Sequence, residues 1–135
     1  MWALLSNPGH ADSFEKHGAA YTPLRWLVEQ LAHREYAGRV YAFKSLASFN
    51  LTVASTHENA DNCDVIGIEY DPQRALFSVR YNWAPPSRDV SHRVMGSCCC
   101  GATDVAETID SYVRVLLDRQ SAEAEPGATA DGGGR

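Results

Sequence analysis

Lysine is nearly missing from this 135-residue chain: Lys16 and Lys44 are the only two, and 12 basic residues stand against 17 acidic ones. With a formal charge of −5 and scattered arginines, the chain lacks the basic surface that neutralises phosphate backbones. General nucleic-acid binding is therefore excluded, and an acidic surface suits a basic partner better. A long apolar run is missing too. No stretch approaches the roughly 20 apolar residues of a membrane-spanning helix. The opening "MWALL" is brief and has no basic lead of the kind that precedes a signal sequence. The expected location is the cytoplasm, with no membrane partner.

Spaced cysteines are also absent. Three of the four cysteines, Cys98, Cys99 and Cys100, are contiguous, and Cys63 stands alone. That pattern is neither a secretory disulfide framework nor a pair of Cys-x-x-Cys metal knuckles. No internal repeat is visible, and the length is that of one domain.

What is present punctuates well. Residues 1–21 hold a Pro-Gly turn signal without sustained periodicity, so they are expected to form an N-terminal arm packed through Trp2, Leu4, Leu5 and Phe14. Residues 121–135 are small, polar and glycine-rich and read as a flexible tail. Between them, 22–120 form a single α+β domain. Thr22 and Pro23 open a helix of about fourteen residues, with Gly38 as a left-handed stop. Leu24, Leu27, Val28 and Leu31 are its buried stripe.

From Arg39 to Met95 the hydrophobic period becomes two. Tyr41 and Phe43 alternate in one run, Phe49, Leu51 and Val53 in the next, and "DVIGIEYDPQRALFSVRYNW" is a hairpin turning at "DPQR". Pairing Tyr70 with Ala75 gathers Ile66, Ile68, Phe77 and Val79 on one face and leaves a polar face opposite. "APPS" interrupts the ladder and "DVSHRVM" supplies a fifth strand. A closing helix carries Val105, Ile109, Tyr112, Val113 and Leu116 inward. The expectation is a two-layer sandwich in the order α-β-β-β-β-β-α, an antiparallel sheet of about five strands with two helices on one face.

Adjacent Cα atoms lie about 3.8 Å apart, too close for an ordinary disulfide, so neighbouring cysteines are not expected to pair. Cys98 and Cys100 share a side of an extended strand. With Cys63 and His92 they are the candidates for a reactive thiol or metal site, while His92 reads first as a core or edge histidine. The plain reading of the cluster is a strand-to-helix junction with small buried side chains.

The connection "STHENADNCD" gathers Glu58, Asp61 and Asp64 in an acidic loop without the alternating oxygen pattern of a hard-metal site. The polar sheet face is expected to present Asn50, Thr52, Glu69, Ser78, Arg80 and Arg93. Together loop and face suggest a non-enzymatic binding module, such as a small bacterial inhibitor or immunity-type protein or a self-assembling homodimer. It would need no cofactor and would bind a protein partner or its own copy. The competing readings are a thiol-dependent enzyme or metal sensor on Cys98, Cys99 and Cys100, and a small-molecule pocket marked by Trp26, Tyr112 and Trp83.

Overall fold

A computed structural model describes residues 2–12, 14, 18–45, 48–56, 63–84 and 93–129. Six strands form one sheet: β1 (Trp2–Leu4), β2 (Tyr41–Ser45), β3 (Ser48–Thr52), β4 (Val65–Asp71), β5 (Leu76–Trp83) and β6 (Arg93–Cys100). They lie in sequence order and every neighbouring pair is antiparallel. Antiparallel neighbours in sequence order need none of the crossovers that parallel strands require, although helices separate β1 from β2 along the chain. Helices α1 (Gly9–Asp12) and α2 (Thr22–Leu31) fall between β1 and β2, and α3 (Val105–Thr129) follows β6. The α+β class is as expected. The sixth strand comes from the N-terminal arm, where Trp2 pairs with Phe43 and Leu4 with Tyr41.

One face of the sheet carries the core. Ala42, Leu51, Ile66 and Tyr81 form one cross-strand row, and Phe49, Ile68 and Val79 form the next. Against them pack Leu24, Leu27, Val28 and Leu31 of α2 and Val105, Ile109, Val113 and Leu116 of α3, all buried. The helical stripes were legible because apolar residues at i, i+3, i+4 and i+7 in α2, and at i, i+4, i+8 and i+11 in α3, have one face in common. Phe14 and His10 extend this core, both meeting the Phe49 ring edge-on.

Several local expectations are corrected. Thr22 already has helical dihedrals, Tyr21 is the N-cap of α2, and the helix stops at Leu31. Arg34 is extended, and Gly38 lies in a 3-10 turn (Glu35–Gly38) rather than in a left-handed stop. This break turns Tyr36 inward, where its hydroxyl donates to Asp110 of α3 at 2.6 Å. In the β4–β5 hairpin, Tyr70 pairs with Phe77 and Asp71 with Leu76, two residues from the expected register. The Asp71 carboxylate accepts the Gln73 and Arg74 N–H groups at 3.0 and 3.4 Å, winding the turn. Ala75 then closes it in a left-handed conformation, φ 53°. A slip of two preserves the faces, which is why burial alone could not detect it.

The strand after "APPS" is described from Arg93 and runs past the expected end at Met95 to Cys100, so all three contiguous cysteines belong to β6; residues 89–92 of the expected strand lie outside the described residues. The α3 helix continues through the region read as a tail as far as Thr129; "SAEAE" is rich in strong helix formers. Among the described residues no helix is long and apolar enough to cross a membrane.

His10, which the sequence did not single out, is buried with Nε2 near the Ala3 and Leu4 carbonyls at 3.2 and 3.1 Å. Burial holds its pKa below the usual 6.5, despite the opposing carbonyl contacts. The folded state thus prefers neutral His10, and the unfolded chain takes up the proton first as pH falls. The stability so linked is complete above about pH 6.5 and is lost on acidification towards the lower folded pKa. In urea unfolding at about pH 7.5 and about pH 5, His10→Gln should show a smaller loss of stability than the wild type.

Candidate functional site: the helix-free face of the sheet

Side chains alternate along each strand, so the residues between the core rows share the opposite face. One cross-strand row runs Trp2, Phe43, Asn50, Gly67, Arg80 and Ser97; another runs Glu69, Ser78 and Cys99. Among the described residues, the helical part of the core packs only against the other side. Trp2 and Phe43 stack with ring centroids 4.3 Å apart and planes within 9°. The Trp2 indole N–H donates to the Ala54 carbonyl at 3.2 Å, anchoring that end of the face.

At the centre, Gly67 has no side chain, and a Cβ built there would meet the Asn50 and Asn82 amides at 3.5 Å each. The Asn50 amide also reaches the Phe43 carbonyl and the Ser48 hydroxyl at 3.4 and 3.3 Å. Arg80 and Glu69 are exposed and Ser78 is half-buried. With Asp71, Arg74 and Cys99 they line a hollow of about 450 Å³ at the hairpin tip. The face therefore grades from aromatic at one end, through amides over a glycine, to oppositely charged groups at the other. Such a surface suits a polar macromolecular contact with an aromatic anchor.

This placement keeps Asn50, Glu69, Ser78 and Arg80 together. Thr52 is fully buried, with its hydroxyl donating to the Asp64 carbonyl at 3.0 Å, so it is removed from the exposed set. Asp64 is a clamp rather than a loop ligand. Only 8% exposed, its carboxylate accepts from the Tyr81 hydroxyl at 2.5 Å and the Ala84 N–H at 2.9 Å, and it pairs with Arg119 of α3. Arg119 also lies over the Trp83 ring, 5.6 Å from its centroid. Burial and the adjacent carboxylate push the Tyr81 hydroxyl well above its usual range, so it stays protonated and donates. A second Tyr-Asp-Arg group, Tyr36, Asp110 and Arg34, ties the 3-10 turn to α3 beside a hollow of about 390 Å³.

Arg93 pairs with Trp83 across a bulge between Tyr81 and Asn82, out of the Arg80 row. Glu58, Asp61 and His92 lie outside the described residues. Sequence reading missed Trp2, Tyr41 and Phe43 on this face. In β2 the small residue points inward, Ala42, and the large aromatics outward, reversing the usual hydrophobic cue.

The cysteines divide as alternation requires. Cys98 and Cys100 occupy the core side, opposite Val79 and Phe77, and Cys99 is exposed on the helix-free side. Burial is the main influence raising the Cys100 thiol pKa; the Thr108 hydroxyl acts against it, and Cys98 and Asp104 act with it. That disfavours the thiolate needed for nucleophilic attack. Cys63 is half-buried next to Asp64. Among the described residues, no three His, Cys, Asp or Glu side chains converge in a group that could hold a metal ion. The three aromatics of the expected small-molecule pocket are spread over α2, β5 and α3, with Trp26 44% exposed.

Comparison of the chain with protein-family models, with curated proteins and with solved structures finds no match.

Proposed function

We propose that this protein is a non-enzymatic binding module that recognises a protein partner through the helix-free face of its sheet. The observation that supports this reading most is the composite surface itself. A stacked Trp2–Phe43 pair, the Asn50–Gly67–Asn82 centre and the Glu69, Ser78 and Arg80 group lie on one continuous sheet side. Aromatic rings supply contact area at low entropic cost, while separated charges orient the partner and reject mismatched ones. The chain's negative charge favours a partner with basic groups around its contact surface.

A complex recovered from the source cells at physiological salt tests the assignment by hydroxyl-radical footprinting. Oxidation of Tyr41 and Phe43 should fall severalfold on complex formation, while Trp26 on α2 keeps its free-protein reactivity. Protection of Trp26 with no change at Tyr41 and Phe43 would place the contact on the helices and refute the assignment.

A further inference from the structure

The two edges of the sheet are built differently. Among the described residues, β1 has three residues, whereas β6 has eight and ends the other side of the sheet. An open edge exposes unpaired N–H and C=O groups, and proteins ordinarily guard it with charge, proline, short strands or bulges. No charged residue and no proline occurs from Val94 to Cys100. The bulge opposite Tyr81 and Asn82 interrupts only one end, leaving Gly96–Cys100 in regular pairing with β5.

The helix above this edge continues the pattern. Tyr112 lies over β6, its hydroxyl 3.4 Å from where a Gly96 Cβ would stand, and Arg119 reaches Asp64 and Trp83. Val115, three residues after Tyr112 and four before Arg119, is on that same flank of α3. Four large hydrophobic side chains are exposed among the described residues, and three belong to this margin: Val94 at 56%, Met95 at 56% and Val115 at 43%. Apolar groups gathered beside an open strand edge mark an interface rather than scattered surface residues.

We propose that β6 and the overlying flank of α3 form a two-fold interface with a second copy of this chain. An antiparallel strand edge is complementary to itself under a two-fold axis, so the same patch serves both subunits and the assembly closes as a dimer. β6 would then hydrogen-bond to the partner's β6 and extend the sheet to twelve strands, while the α3 helices meet through Val115. Electrostatics favour this margin over other surfaces. Two copies each carrying −5 repel, and the strand segment Val94–Cys100 has no charged side chain, so the β6 edges meet without apposing like charges.

Sedimentation equilibrium of the full chain tests the interface. The wild type should have twice the 14.8 kDa chain mass at about 100 µM, and Val115→Glu and Met95→Lys should each raise the dissociation constant tenfold or more. Both positions are exposed, so circular dichroism should show an unchanged fold in each variant. Arg80→Glu, in the middle of the helix-free face, should leave the dimer intact. A monomeric wild type at that concentration overturns the proposal, as does a dimer weakened by Arg80→Glu but by neither margin substitution.

Discussion

Asp64→Ala should lower the unfolding free energy by about 3 kcal/mol, the scale set by removing one partner of a buried ion pair. For a chain of this size the melting temperature then falls by roughly 10 °C. The carboxylate serves three donors at once: the Tyr81 hydroxyl, the Ala84 N–H and Arg119. Its loss leaves Tyr81 and the Ala84 amide buried without their acceptor, and it frees the end of β5 from α3. Arg119 is about one-third exposed and regains water, which holds the cost to the lower part of the range. Asp64→Asn should be milder, because one oxygen remains to accept. Thermal melts of the three proteins check the order: wild type highest, Asn intermediate, Ala lowest. Equal melting for wild type and Ala would show that the clamp contributes nothing.

Phe49→Ala should cost about 3–5 kcal/mol, the range for deleting a buried aromatic ring from a close-packed core. Phe49 is fully buried on β3, and the rings of Phe14 and His10 meet it edge-on. The cavity would therefore open between the sheet and the N-terminal segment, and collapse there would require β1 and α1 to shift together. Urea unfolding should give a lower midpoint for Phe49→Ala than for Phe49→Leu, which retains most of the volume. The reverse order would contradict the packing.

How far the sequence reveals this molecule depends on which interactions are periodic. Leu24, Leu27, Val28 and Leu31 announce a buried helix face, and Ile66, Ile68, Phe77 and Val79 announce a sheet face, because burial repeats with the backbone period. Trp2–Leu4 was hidden. Three residues are too few to show alternation, and their strand character depends on pairing with β2, nearly forty positions later. Asp64 was hidden for a similar reason: its donors, Tyr81, Ala84 and Arg119, lie 17, 20 and 55 residues away. A carboxylate in a polar loop has the same appearance whether solvated or clamped.

The candidate site was partly legible. Asn50, Glu69, Ser78 and Arg80 follow from strand parity once the core face is known, and a register error of two leaves parity unchanged. Tyr41 and Phe43 did not follow, since aromatic residues beside the small Ala42 look like the inward set. The cysteines drew attention through adjacency. Parity separates them, and burial raises the pKa of the Cys100 thiol.

Recognition through the helix-free face, rather than chemistry at the thiols, is most directly tested by comparing three forms of the full chain as bait in one native extract. These are the wild type, a face variant with Phe43→Ala and Arg80→Glu, and a thiol variant with Cys98→Ser and Cys100→Ser. The protein retained by the wild type should drop at least tenfold on the face variant and persist on the thiol variant. Loss on the thiol variant with full retention on the face variant would contradict the account.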